Sequence, residues 1–147
     1  MAPTDDGRDP RRASHAALQG IRRELRRHPA ITSVDGHPHD ALYTQLRAAI
    51  DPLLVGSDAP PGTLTVAWFV RPAGAPPHFR FHYADDTGFD CGWHHHEQTH
   101  VDGLGHYQER ASDGDSYAYE PFAFNSVEPA RVTWEILDEV TAILSEK

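Results

Sequence analysis

The chain has 147 residues, a formal net charge of −9 and one cysteine, and it lacks any apolar run near the ~20 residues that span a membrane. Because Cys91 is alone, an intramolecular disulfide and a site built from several thiolates of one chain are excluded. The first fifteen residues contain no hydrophobic segment of the kind that secretion signals carry. We therefore expect a soluble cytoplasmic protein with no membrane partner.

The charge is distributed unevenly along the chain. Residues 1–30 carry seven Arg against three Asp and one Glu, a balance of +3, so the remainder carries −12. Lys147 is the only lysine, and Asp outnumbers Glu by fourteen to eight. This acidic, lysine-poor composition is typical of halophilic proteins from a salt-rich cytoplasm. The Arg-rich start indicates either an arm that faces nucleic acid or the solvated face of a helix.

The first third of the chain predicts a leader and two helices. Residues 1–12 have no periodicity and are predicted to be disordered, leaving residues 13–147 as a single domain. From the candidate N-cap Ser14, apolar residues recur at helical spacing to a helix end near Pro29: Leu18, Ile21 and Leu25. Residues 31–35 form a short strand candidate. Asp40 is then the candidate N-cap of a second helix with one apolar face: Leu42, Tyr43, Leu46 and Ile50.

The middle of the chain predicts strands, and a hairpin lies at its centre. Residues 63–70 and 78–83 alternate with the period of two that half-buried strands show. A three-residue loop 86–88, with Gly88 in the left-handed conformation, sets the register of the following strand. This register opposes Phe81 to Trp93, Tyr83 to Cys91 and Arg80 to His94, and it collects all large apolar groups on one face. The opposite face then carries the polar set: His78, Arg80, His82, Asp90, His94 and His96.

The last third predicts further strands and a long closing helix. A third strand over residues 100–110 adds His100 and His106 to the polar face, and residues 116–124, which contain Pro121, suit a sheet edge. Asn125 or Ser126 is the candidate cap of the C-terminal helix. The predicted fold class is α+β: an antiparallel β-meander of four to five strands, with helices, including the long C-terminal one, packed on one face.

Seven of the eleven histidines lie between residues 78 and 106, which directs attention to the polar face. One interpretation is metal-independent cleavage of RNA, without a cofactor, since histidine suits both proton transfers near neutral pH. In this interpretation His78, His82, His94 and His96 supply the acid and base. Arg80 binds the phosphate, and Asp90 orients an imidazole.

The alternative is a non-enzymatic, histidine-rich module for metal binding or protein interaction. His94 and His96, two residues apart on a strand, can point at one Zn²⁺ ion, and the candidate ligand set is His82, His94, His96 and His106. A plain polar run on an exposed strand stays open as well. The coordinates distinguish the two chemical interpretations. Three imidazoles that converge on one point favour metal, and two that face each other beside Arg80 favour acid–base chemistry.

The layout of residues 40–147 resembles the TumE-like toxins of type II toxin–antitoxin modules. In that family, central strands carry an aspartate, a His-His pair and later histidines; the matching residues here are Asp90, His94, His95, His100 and His106. The family often carries an arginine and an aromatic residue just before its aspartate, where this chain has Gly88 and Phe89. Arg80 on the neighbouring strand is the candidate substitute for that arginine. The resemblance implies a toxin that acts on RNA and is silenced by a cognate antitoxin protein.

Overall fold

The structure, a computed structural model, describes residues 9–72, 74–97 and 103–147. Helix α1 (Pro10–Leu25) comes first and helix α2 (Pro129–Ser145) comes last. Between them run seven strands: β1 (Ile31–His37), β2 (Gln45–Ile50), β3 (Gly62–Phe69), β4 (His78–Asp85), β5 (Asp90–His95), β6 (Gly105–Arg110) and β7 (Ala118–Pro121). A short 3-10 helix (Pro52–Val55) lies between β2 and β3.

All seven strands form one antiparallel sheet in which each strand pairs with its neighbours in sequence. The α+β meander with a C-terminal helix is therefore confirmed, whereas the expected four to five strands were too few. β7 lies at one edge of the sheet, and it contains Pro121 as predicted. None of the helices in the described ranges is long and apolar enough to cross a membrane.

The prediction of a second helix after Asp40 is wrong, because Gln45–Ile50 of that segment forms strand β2. Leu46, Ala48 and Ile50 are buried in alternation, while Arg47 between them is exposed. The spacing of Leu46 and Ile50 fits a helix and a strand equally well. β2 pairs with β1 on one side and β3 on the other, so its backbone groups are satisfied across the sheet.

Both helices begin differently from the prediction. α1 is capped by Asp9, whose carboxylate accepts from Arg11 N (2.9 Å), so residues 10–12 of the expected leader are helical. Residues 1–8 lie outside the described ranges. Ser14 is no cap; its hydroxyl accepts from Val70 N (2.9 Å) and fastens α1 to the end of β3. α2 is capped by Glu128, which accepts from Ala130 N (3.1 Å).

Asn125 and Ser126 lie before the cap of α2 and have other roles. Asn125 Nδ2 donates to Glu135 Oε2 (3.0 Å), and Ser126 Oγ accepts from Glu128 N (2.9 Å). The negative side chain of Glu128 at the start of α2 is favourable because the helix dipole places partial positive charge there. Pro129 begins α2, where the absence of a backbone N–H leaves no helical hydrogen bond unmade.

One face of the sheet forms the core together with both helices. Its largest fully buried side chains are aromatic groups of β3, β4 and β5: Trp68, Phe79, Phe81, Tyr83 and Trp93. They belong to one apolar cluster with Leu18 and Ile21 of α1 and with Val132 and Ile136 of α2. The helices thus leave the opposite face of the sheet uncovered, and this face carries the histidines.

The predicted register of the central hairpin is confirmed. Phe81 pairs with Trp93, Tyr83 with Cys91 and Arg80 with His94. Asp85 N donates to Phe89 O (3.1 Å), which closes the loop of residues 86–88, and Gly88 has φ of 97°. The three-residue loop therefore fixes which side chains reach the open face.

We expect Gly88→Ala to lower the free energy of unfolding by about 1–2 kcal/mol, since a side chain strains the left-handed conformation. The added Cβ also lies 3.0 Å from Ser112 O. Gly20→Ala is the matched control. Its Cβ meets only Arg23 Nη2 at 3.7 Å, and alanine favours the helix, so stability is unchanged or rises. Urea unfolding of both variants measures the difference, and equal midpoints would contradict the assigned loop.

Candidate functional site

The open face of β4, β5 and β6 brings most of the predicted residues together. His94 occupies the centre, because it pairs with Arg80 of β4 on one side and with His106 of β6 on the other. His82 pairs with Gly92, and Asp90 pairs with Arg110. Residues directly opposite each other in an antiparallel sheet point to the same side. The six residues of the predicted polar face and His106 therefore share one surface.

Three imidazoles converge on one point of this surface. One ring nitrogen each from His94, His96 and His106 lies within 4.8 Å of the other two. His94 Nδ1 and His96 Nε2 lie at a hydrogen-bond distance of 3.3 Å. Two nitrogens bound tetrahedrally to one zinc ion at about 2.0–2.1 Å lie about 3.3–3.4 Å apart. The geometry of the cluster therefore fits a metal such as Zn²⁺.

The hydrogen bond of His96 leaves a lone pair directed at the cluster. Its Nδ1–H donates to the carbonyl oxygen of Glu97 (2.9 Å), so Nε2 carries the lone pair that faces His94. Metal-ligating histidines usually donate their second ring N–H to a carbonyl or carboxylate in this way. His106, which is fully buried, closes the cluster from β6. Its ring centroid lies 4.8 Å from that of His94 and 5.2 Å from that of His96.

His94 is held in the neutral form that metal binding requires. Burial, followed by the nearby His106, His96, His82 and Arg80, lowers the pKa of His94 to about 3. Its Nε2 is buried and has no hydrogen-bond partner among the described residues. This atom lies above Gly92 beside His82 Nδ1, whereas Nδ1 is the nitrogen of His94 that faces His96 in the cluster.

His82 belongs to a second group beside the cluster. Its Nε2 lies 3.3 Å from Asp90 Oδ1, a contact that becomes an ion pair when His82 is protonated. Asp90 is itself anchored by Arg110 Nη2 at 2.8 Å. Burial lowers the pKa of His82, and the Asp90 charge acts in the opposite direction. The predicted orienting role of Asp90 thus has a matching geometry, and Arg110 is a further member of the site.

Gly92 allows His82 and His94 to lean toward each other. A Cβ at this position would lie 2.8 Å from His82 Nδ1 and 3.1 Å from His94 Nε2. Both ring nitrogens therefore occupy the space that any other residue would fill. Two imidazoles facing each other beside Arg80 were the geometry expected for acid–base chemistry, so the site contains both predicted arrangements side by side.

Arg80 and His78 lie toward the β3 side of the cluster. Arg80 is exposed and makes no ion pair within the described part of the chain. His78 Nε2 accepts a hydrogen bond from Arg71 Nη1 (2.8 Å), and its ring centroid lies 6.3 Å from that of His96. Burial, followed by the charge of Arg71, lowers the pKa of His78. His78 is thus at the margin of the cluster, and Arg80 is the free cation beside it.

His95, which the family resemblance matched, points away from the site. It is 8% exposed, it stacks on Phe79 at 4.8 Å, and its Nδ1–H donates to Pro77 O (2.7 Å). The alternation of β5 places it on the core face, so it packs and does not face the cluster. His100, also matched, lies outside the described residues. Of the four candidate metal ligands, three converge, while His82 contacts Asp90 instead.

Sequence reasoning missed Arg110 and Gly92. Arg110 was detectable in principle, since extending the hairpin register to the next strand places it opposite Asp90. Gly92 gave no signal, because a glycine in a strand has several explanations and only the coordinates show the rings above it.

Comparisons with known proteins leave the family open. No protein-family model, no curated protein and no solved structure matches this chain significantly. The resemblance to TumE-like toxins therefore stays a prediction, and the function is inferred from the site.

We expect the metal-free protein to lose stability as the pH falls from about 6.5 toward 3, in part through His94. In this range the unfolded chain binds a proton at His94 that the folded chain excludes, because the folded pKa is about 3 against an ordinary value of 6.5. His94→Gln removes this proton uptake. Urea unfolding from pH 7.5 to 4 in EDTA should therefore show a steeper decline for the wild type. Parallel profiles would contradict a neutral, buried His94.

Proposed function

We propose that this chain is a metal-dependent phosphodiesterase whose site is the open face of β4, β5 and β6. The observation that carries the proposal is the convergence of His94, His96 and His106, with two ring nitrogens 3.3 Å apart. Three protein ligands are the usual number in catalytic zinc sites, which keep one position open. The low pKa of His94 keeps that ligand neutral at physiological pH.

The residues around the cluster supply the remaining parts of the chemistry. His94, His96 and His106 would hold a divalent ion, which would supply stabilisation of the charge that develops on a phosphoryl group. Arg80, exposed and without an ion pair in the described residues, binds the phosphate as a fixed cation. His82 presents Nδ1 as a proton acceptor, since its Nε2 faces Asp90. Asp90, anchored by Arg110, holds this tautomer in place.

The proposed reaction is hydrolysis. A water oxygen attacks phosphorus while the bond from phosphorus to the leaving oxygen breaks. One proton of the attacking water passes to His82 Nδ1 and then to the leaving oxygen, which departs as a hydroxyl group. The other proton remains on the phosphate until solvent accepts it. The products are a phosphomonoester and an alcohol.

A second candidate is the metal-independent cleavage of RNA, and the close approach of His82 and His94 over Gly92 favours it. Here the 2′-oxygen attacks phosphorus and the bond to the 5′-oxygen breaks, giving a cyclic phosphate. One imidazole takes the 2′-hydroxyl proton, and the other donates a proton to the 5′-oxygen. The donor must be protonated beforehand. A pKa of about 3 makes His94 a poor donor at neutral pH, so the metal-dependent reaction is preferred.

Metal binding is the first test. We expect calorimetry with Zn²⁺, on protein without a histidine tag, to show one site per chain. His94→Gln and His96→Gln should each weaken binding by about tenfold or more, since each removes a ligand. His95→Gln is the matched control, because His95 is adjacent in sequence but faces the core. Equal weakening in all three variants would indicate opportunistic binding to a histidine run and would contradict the site.

Activity separates the two candidate reactions. The assay follows a chromogenic diester, bis(p-nitrophenyl) phosphate, and a labelled RNA in parallel. EDTA should abolish both activities, and added Zn²⁺ should restore them. RNA cleavage that persists in EDTA would support the metal-independent reaction instead. Absence of diester hydrolysis by the zinc-loaded protein would overturn the phosphodiesterase.

For the biological role we propose a toxin that acts on RNA and is neutralised by a cognate antitoxin protein. The proposal is supported by the histidine-bearing strands that resemble TumE-like toxins. Its test is expression of the wild type and His94→Ala, in matched salt, in a host without the neighbouring gene. Growth arrest with loss of bulk RNA is expected for the wild type only. Arrest with intact RNA would contradict RNA as the target, and normal growth would contradict the toxin.

A further inference from the structure

Phe69 is a half-exposed aromatic side chain at the margin of the candidate site. It is 47% exposed, whereas the neighbouring Trp68 is buried in the core at 2%. Phe69 pairs with His78 across β3 and β4, so its ring lies on the same open face as the histidines. An exposed ring beside a polar site is the residue that a ligand with a flat apolar face contacts.

Two arginines lie on this side of the site. Arg71 binds His78, the partner of Phe69 (2.8 Å), and Arg80 follows two residues further along β4. Asp90 on the same face is already bound to Arg110. The two arginines outnumber the nearby carboxylate of Glu97, which acts on His78, so this margin of a chain of net charge −9 favours an anion.

The distance from the ring to the imidazole cluster suits a chain-like ligand. Phe69 lies on β3 and the cluster begins on β5, two strand spacings or about 10 Å away. His78, the partner of Phe69, lies on the direct path across β4, and Arg80 lies two residues further along that strand, opposite His94. An aromatic platform with a cation and a reaction centre beside it matches a base, its phosphate and the next phosphate of a nucleic acid strand.

We propose that Phe69 is a base-stacking platform that makes single-stranded nucleic acid the substrate class of this site, with Arg80 on the adjoining phosphate. The inference rests on the proposed phosphodiesterase. Stacking requires an accessible base face, which an unpaired nucleotide offers and a base pair inside a duplex does not. The open face therefore binds unpaired segments and excludes duplex RNA.

The test compares binding of single-stranded RNA, whose bases can stack on Phe69, with binding of duplex RNA, whose bases cannot. Fluorescence anisotropy measures binding of a labelled single-stranded RNA and of its duplex to the zinc-loaded His82→Gln protein, in which cleavage is suppressed. In this background we expect Phe69→Ala to weaken single-strand binding by about tenfold or more, and Phe69→Trp to restore it. Leu53→Ala is the control, since Leu53 is 68% exposed and lies in the 3-10 helix away from the site.

Hydrolysis by variants with intact His82 separates the possible failures. Phe69→Ala should raise KM for RNA, while Leu53→Ala should leave hydrolysis of both RNA and bis(p-nitrophenyl) phosphate at the wild-type level. Either of two results would overturn the platform and leave the phosphodiesterase intact. One is that Phe69→Ala does not change RNA binding. The other is that the His82→Gln protein with Phe69 present binds duplex RNA as tightly as single-stranded RNA. Failure of the wild type to hydrolyse the small diester would overturn the phosphodiesterase and, with it, the platform as a substrate site.

Discussion

The register of the β4–β5 hairpin is the constraint on which the rest of the structure depends. Because side chains alternate along a strand, a slip by one residue would exchange the two faces of β5. Trp93 would then face solvent, and His94 would lie under the helices. The loop around Gly88 fixes the register locally, and burial of Phe81, Tyr83 and Trp93 stabilises that register. The site is thus a consequence of core formation on the opposite side of the sheet.

The same packing explains why the imidazoles are poised for a ligand. Burial is the largest cause of the lowered pKa of His94, and the neighbouring His106 and His96 come next. The strand spacing of about 4.8 Å brings these rings close together. If the proposed ion binds, its coordination by these rings would also stabilise the fold, because the strands that carry them must be in place.

The sequence predicted what depends on local period and failed where the period was ambiguous. The hairpin, β3 and α2 were recognised because their apolar patterns fit one structure only. β2 was assigned to a helix because Leu46 and Ile50 fit both periods, and the choice was made by pairing with β1 and β3, which no local pattern encodes. The caps Asp9 and Glu128 were missed because carboxylates and hydroxyls nearby were equally suitable acceptors.

For the site, the alternation along β5 was more informative than residue type. His94, His95 and His96 are chemically identical, yet His95 stacks on Phe79 in the core while its neighbours face the cluster. A resemblance based on a His-His pair treats both members alike, whereas the strand period separates them. His82 shows what the strand period cannot predict. Its placement on the open face was predictable, but its contact with Asp90 depends on the ring approaching the backbone at Gly92. The proposed division of the histidines into ligands and a proton acceptor therefore rests on cross-strand neighbours, which a single strand's sequence does not contain.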